Sequence, residues 1–238
     1  MRKLLLGTVS LLALAALTGA ADAQSLFSGP GFFSGPAPNW TGLYAGVEGG
    51  YGWGSARQSD PTGFSSGRYS TNGGLAGGTV GYNWEMPNHL VLGAETDLSW
   101  AQIGGDTHNG ACGGNYCGAQ LQSPFGTVRG RLGYAFGRVM PYVTGGFAYG
   151  MVHGGEGNIA ANGPYGSGDT MQTGWTAGGG VEAALAPHWS AKLEYLYVDL
   201  GDNHTFNDEN VTGPTNFTPE NVSFNSNIVR LGLNYRFW

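Results

Sequence analysis

Residues 90–100 read Leu90-Val91-Leu92-Gly93-Ala94-Glu95-Thr96-Asp97-Leu98-Ser99-Trp100. Leu90, Leu92, Ala94, Thr96, Leu98 and Trp100 take one parity, while Gly93, Glu95, Asp97 and Ser99 take the other. A period of two belongs to a β-strand with two unlike faces. Two acids on one face of a run whose other face is apolar and ends on tryptophan need a reason. The rest of the chain supplies it.

The same alternation recurs seven more times. Leu43, Ala45, Val47, Gly49, Tyr51 and Trp53 oppose Tyr44, Gly46, Glu48, Gly50 and Gly52; Val80, Tyr82 and Trp84 oppose Thr79, Gly81, Asn83 and Glu85. Val128, Leu132, Tyr134 and Phe136 oppose Thr127, Arg129, Arg131 and Gly133, and a fifth segment carries Val143, Phe147, Tyr149 and Met151 on one face. Trp175, Ala177, Val181, Ala183 and Leu185 oppose Thr176, Gly178, Gly180 and Glu182. Trp189, Ala191, Leu193, Tyr195 and Tyr197 oppose Ser190, Lys192 and Glu194, and Val229, Leu231, Leu233, Tyr235 and Phe237 oppose Arg230, Gly232, Asn234 and Arg236. Connections alternate in length: long near residues 54–73, 102–120, 154–172 and 201–222, short at 86–88, 137–138 and 186–188. Sorting of loops by length is a property of transmembrane barrels, with short periplasmic turns and longer extracellular loops. The pattern predicts an all-β chain forming an eight-stranded antiparallel up-and-down transmembrane β-barrel over residues 40–238.

Charge placement agrees with that prediction. Glu48, Glu85, Glu95, Asp97, Arg129, Arg131, Glu182, Lys192, Glu194, Arg230 and Arg236 all fall opposite the large apolar side chains. Lipid offers a charge no partner, so these residues are expected to pair across the lumen as a charge network. Trp53, Trp84, Trp100, Tyr134, Trp189, Tyr197, Tyr235 and Phe237 sit where interfacial aromatic girdles belong. Eight strands leave an interior that side chains can fill. A plug of glycines and ion pairs is therefore expected rather than a wide pore.

The chain starts with Arg2 and Lys3, an apolar run from Leu4 to Leu17, and Ala21-Asp22-Ala23 before Gln24. That order predicts a secretory signal over residues 1–23, cleaved between Ala23 and Gln24. Residues 24–39 repeat Phe-Ser-Gly-Pro at 27–30 and 33–36 and read as a flexible periplasmic lead-in. With 45 Gly and 11% charged residues, the composition is unlike that of a soluble domain. The formal net charge is −6 and no basic stripe is present, which argues against nucleic-acid binding.

Cys112 and Cys117 flank Gly-Gly-Asn-Tyr in the second long link. In an exported chain they most simply form a disulfide; free thiols are the next reading. A metal site comes last, since His108 is the only histidine nearby. His188-Trp189-Ser190 could suggest a hydrolase, but no orienting acid stands in a convincing place. His89, His153 and His204 are not expected to be ligands, and Asp169, Asp199, Asp202, Asp208 and Glu209 form an acidic rim. No cofactor or metal signature is present, and no enzymatic activity is expected.

Several stretches resemble the outer-membrane protein β-barrel family that includes the porin-family outer-membrane immunogenic proteins of Gram-negative bacteria. They are Trp40-Thr41-Gly42-Leu43-Tyr44 through Gly50-Tyr51-Gly52-Trp53-Gly54, Arg129 through Tyr134, Pro141-Tyr142-Val143 with Gly145-Gly146, Lys192 through Gly201, and Val229 through Phe237. The resemblance covers residues 40–238 and implies a barrel like the membrane domain of OmpA-type proteins. It implies residence in the outer membrane against lipopolysaccharide, and handling by periplasmic chaperones and the barrel-assembly machinery. Roles in envelope integrity and surface antigenicity follow from it, and no peptidoglycan-binding domain is expected after the barrel. Tyr235, Phe237 and Trp238 stand where the family carries its assembly signal, although such barrels end on the aromatic residue and here Trp238 follows Phe237. Two other functions are open to such a barrel: a narrow porin-like channel for small polar solutes or ions, lined by the inward charges and blocked by bulkier residues at Gly46, Gly81 or Gly178, or a surface binder acting through the long loops. A lipid-modifying enzyme using Ser190 is not expected.

Overall fold

The computed structural model describes residues 38–59, 63, 65–108, 116–158, 163–209 and 217–237. Eight antiparallel strands close into one barrel in chain order: β1 (Gly42–Ser59), β2 (Tyr69–Glu85), β3 (Leu90–Thr107), β4 (Tyr116–Tyr134), β5 (Val139–Asn158), β6 (Gly163–Ala184), β7 (Trp189–Glu209) and β8 (Phe217–Arg236). The seam pairs β1 with β8 from Tyr44↔Arg236 to Ser59↔Asn221. Closure gives every strand two neighbours through the turn-side stretch. Among the described residues the β6–β7 pairing ends at Trp175↔Asp199, and beyond it β6 stays paired with β5 and β7 with β8.

The three short turns lie where the alternation breaks. At residues 86–89 the His89 N–H donates to Met86 O (2.9 Å), and His89 itself takes the left-handed conformation, φ 65°. At 135–138 the Phe136 N–H donates to Val139 O (2.8 Å), with Gly137 at φ 62°. At 185–188 the Leu185 N–H donates to Trp189 O (2.8 Å).

The long links differ from expectation. Most of residues 54–73, 102–120, 154–172 and 201–222 are strand, with pairing continuing to Ala56↔Tyr69, Thr107↔Cys117, Asn158↔Gly163 and Glu209↔Phe217. The strands run 17 to 22 residues, whereas a tilted strand needs only about 9–11 to cross a bilayer. The reason is an inversion of the apolar face along each strand. Toward the turns, the exposed side chains are apolar, as with Val47, Leu193 and Leu231, which is 66% exposed. Toward the loops the outward side chains become polar and the apolar ones turn inward: Ile103 on β3, Leu196, Val198 and Leu200 on β7, Val222 and Phe224 on β8. An outward hydrophobic period therefore fades while the hydrogen-bonded ladder carries on.

Exposed aromatic residues bound the outward apolar band. Trp84, Tyr134, Trp189, Tyr235 and Phe237 lie toward the turns, and Trp53, Trp100 and Trp175 toward the loops. Tyr197 packs on Trp175 with ring centroids 5.3 Å apart. Ten-residue segments at a strand tilt near 40° rise roughly 25 Å, the height of a hydrocarbon band.

Inside, side chains form three layers. Trp40, Val91, Ala135, Met140 and Ala184 make a floor at the turn end. Charged side chains fill the middle. Above them an apolar core includes Ile103, Leu121, Phe125, Leu196, Phe224 and Ile228. Trp40, expected to open the first strand, instead precedes it. Gly42, at φ 141°, turns the chain so that the indole tucks under the barrel, 1% exposed.

The band assignment predicts that Leu231→Arg lowers the stability of the folded protein by about 2–4 kcal/mol, whereas Gln102→Arg, beyond Trp100 on the outer wall, changes it little. Urea titration of protein folded in lipid vesicles measures both.

Candidate functional site

The middle layer is assembled by register. Three opposite-charge pairs face each other directly across strands, Glu95↔Arg129, Glu182↔Lys192 and Glu194↔Arg230. Cross-strand pairing of this kind stabilises a sheet locally. Here the side chains also reach across the lumen.

Arg129 meets Glu194 Oε1 at 2.9 Å, Asp97 Oδ2 at 3.0 Å, and Glu95. Arg230 meets Glu194 Oε2 at 2.6 Å, Asp97 Oδ2 at 3.1 Å, and Glu48. Lys192 leaves its in-register partner Glu182 and crosses to Glu95 Oε1 at 3.0 Å and Glu48 Oε2 at 3.3 Å. Room for this comes from Gly232, where an added Cβ would sit 2.8 Å from Lys192 Cε. Arg131 pairs with Glu182 at 2.7 Å and lies over the Tyr142 ring, 3.9 Å from its centroid. All nine of these charged residues are buried.

Neutral side chains tie the ions together. Tyr44 donates to Glu95 Oε2 (2.7 Å), Tyr142 to Glu194 Oε1 (2.9 Å), Ser190 to Glu182 Oε1 (2.6 Å), and Asn234 Nδ2 to Glu182 Oε1 (3.0 Å). Thr127 donates to Asp97 and accepts from Arg129 Nε at 2.8 Å. Buried charges of this sort need their remaining lone pairs and protons satisfied. The two tyrosines do so while also packing against Arg131. Alternation placed Tyr44 and Asn234 inward but gave no sign of their partners, and the part played by Tyr142 could not be read from it.

Two of the eleven expected residues stand apart. Glu85 lies at the turn end, accepting from the Trp40 N–H at 2.8 Å and facing His89 at 3.3 Å. Arg236 stacks on Trp40, 5.0 Å from its ring, and donates to the Asn39 carbonyl at 2.9 Å. Both were expected to share the central network because parity alone carries no height. They belong to the floor instead, where Trp40 Nε1 also donates to Gly137 O at 3.1 Å. Asn39, expected in a flexible lead-in, is thus held by the last strand.

Gly46, Gly81 and Gly178 do not line an open path. A Cβ at Gly81 would strike the Tyr44 hydroxyl, one at Gly46 would strike Asn234, and one at Gly178 would lie 2.9 Å from Leu196. Ser190 and His188 are not brought together: Ser190 faces inward to Glu182, while the exposed His188 sits against the Tyr235 ring and Arg236 O. His153 faces Asp169 at 2.8 Å on the outer wall, and His108 faces Asp106 at 3.2 Å. Asp199 accepts the Gly201 N–H at 2.9 Å. Cys117 is buried at the start of β4. Cys112, Ala23, Gln24 and Trp238 lie outside the described residues, as do the side chains of His204, Asp202, Asp208 and Glu209.

A closed antiparallel barrel that turns its charges inward and wears an apolar band between two aromatic girdles is a transmembrane barrel of the outer-membrane type. The comparisons with known proteins give the same class. Residues 9–237 match the model of the outer membrane protein beta-barrel domain. The 31 kDa outer-membrane immunogenic protein of Brucella melitensis is 39% identical over 210 residues, 84% of each chain. The 22 kDa outer membrane protein of Rhizobium leguminosarum bv. viciae is 33% identical over 168 residues, 69% of this chain and 66% of that one. Among solved structures, the outer membrane protein OprG of Pseudomonas aeruginosa superposes with a TM-score of 0.55 at 14% identity, covering 84% of this chain and 98% of that one. This chain belongs to the outer membrane protein β-barrel family.

Removing one member of the ionic layer leaves its buried partners with an uncompensated charge. Arg230→Met is expected to lower stability by about 3–5 kcal/mol, and adding Glu48→Gln to recover part of that loss. Urea midpoints of the vesicle-folded variants test the pair.

Proposed function

We propose that this protein is a structural, surface-displayed component of the outer membrane, one that contributes to envelope integrity and antigenicity and conducts no solute. The observation that carries the reading is the stacking of three buried layers along the lumen: the Trp40 floor, the ionic belt and the apolar core from Ile103 to Ile228. A solute path would have to break all three, and in the upper one the inward polar side chains Gln58 and Gln172 donate to backbone carbonyls among the apolar ones. The long strands support the display part of the reading. They raise four hairpins beyond the loop-side girdle, the side that barrels of this kind turn outward. Relatives named as immunogenic proteins fit such a surface.

Several further assignments belong to the same proposal. Residues 1–23 are removed between Ala23 and Gln24. Periplasmic chaperones and the barrel-assembly machinery take the chain to the membrane, reading Tyr235, Phe237 and Trp238 at its end. Cys112 and Cys117 close a small ring at the head of the β3–β4 hairpin. Ser190, committed to Glu182, has no catalytic part.

Planar-bilayer recording of the folded mature protein tests the central claim. A flat current trace across voltage is expected, unchanged by Gly178→Leu. Discrete openings that Gly178→Leu abolishes would replace display with a channel. Protease treatment of intact cells tests the topology: cuts are expected only in the four loop-side links, and a cut at 86–89, 135–138 or 185–188 would reverse it.

A further inference from the structure

Every Lys and Arg after residue 38 has a place in the belt, the floor or the Arg138 turn, except Arg57 and Arg68. Both are exposed, and both line one groove of about 160 Å³ on the outer wall, together with Ser55, Ser59, Ser223 and Asn225. The local backbone creates this meeting. After the Ala56↔Tyr69 pair the ladder resumes at Gln58, whose O accepts the Ser66 N–H at 3.1 Å. The single residue Arg57 therefore opposes two, Gly67 and Arg68. Gly67 sits at φ 72°, the left-handed glycine of a bulge, a device that re-aims the neighbouring side chain. Arg68 is brought to the same face as Arg57.

Like charges on opposed strand positions destabilise a sheet. Among the described residues neither guanidinium forms an ion pair, and Asp60 lies outside them. Arg57 is held by a neutral partner, Nε donating to Ser65 Oγ at 3.0 Å. Asp199, in register with the lining residue Asn225, accepts the Gly201 N–H at 2.9 Å and puts one negative charge beside the two guanidinium groups. Two guanidinium forks, with serine hydroxyls and an asparagine beside them, make a donor set for a phosphate oxygen cluster. An anion between the forks removes their repulsion.

Height above the membrane selects the source of that anion. Arg57 stands four residues beyond the girdle residue Trp53, roughly 10 Å along a tilted strand, at the level of lipid headgroups. The groove opens sideways on the wall, where lipids stand, and not into the lumen. We propose that Arg57 and Arg68 form a binding site for a phosphate carried by an outer-leaflet glycolipid, the lipid A portion of lipopolysaccharide. The site needs only the outward orientation of the loop end and is independent of whether the lumen conducts.

Native mass spectrometry of the full folded protein in a phosphate-free sugar detergent tests it, with lipid A, dephosphorylated lipid A and inorganic phosphate as probes. Lipid A is expected to be retained and dephosphorylated lipid A to be lost. Arg57→Gln with Arg68→Gln is expected to weaken lipid A binding about tenfold or more, and the paired Lys variants to restore part of it. Heat-modifiable gel mobility confirms that each variant is folded. Equal retention of the two lipids overturns the proposal. So does unchanged binding by the double Gln variant, the result if an internal carboxylate already occupies the groove. Inorganic phosphate binding as tightly as lipid A would reassign the groove to a free anion and overturn the lipid assignment. If instead protease mapping reversed the topology, lipid A would still bind the detergent-folded protein, so the two failures are distinguishable.

Discussion

The solvent changes along every strand of this barrel, while each strand keeps a hydrogen-bonded partner through the change. Lipid gives a backbone N–H or C=O no partner, so the sheet must close. Once closed, each strand presents one face outward for its whole length. Where that face meets hydrocarbon, it carries Val47, Leu193 and Leu231; where it meets water, it carries Arg57, Asp199 and Asn225. The inner face does the reverse. The inversion is the outcome of one rule, burial of apolar surface away from water, applied in two surroundings.

Within the membrane stretch the interior must hold whatever the exterior rejects. The charged layer meets that demand by pairing Arg129, Arg131, Lys192 and Arg230 with Glu48, Glu95, Asp97, Glu182 and Glu194. Buried ion pairs contribute little net stability compared with apolar packing, but they penalise wrong partners heavily. A strand slipped by one residue would turn Arg129 or Glu95 into lipid. The layer thus fixes register, and the tyrosine and asparagine hydrogen bonds fix the ions.

Most of the membrane stretch was legible in the sequence, because alternation there has amplitude. Leu90 through Trp100 revealed both faces, and the short turns marked the strand ends. Two things were hidden. The water-side halves of the strands carry serine, glycine and asparagine outward, so a reading tuned to outward apolar residues took them for loops. Val198, Leu200, Val222 and Phe224 held the missing signal on the opposite parity. Height was the second. Glu85 and Arg236 share parity with Glu95 and Arg230, and only the pairing register separates floor from belt. Trp40 was legible as the onset of the barrel but not as its stopper, since its inward turn depends on Gly42 and on Arg236 at the far end of the chain.

The paired hairpins beyond the girdle have a consequence for recognition. Side chains that are far apart in the chain stand side by side there, as Arg57 does with Ser223 across the seam. A molecule that recognises this wall reads a mosaic built by the ladder, not a run of consecutive residues. Unfolding disperses that mosaic, and a short peptide cut from any one hairpin reproduces only one column of it.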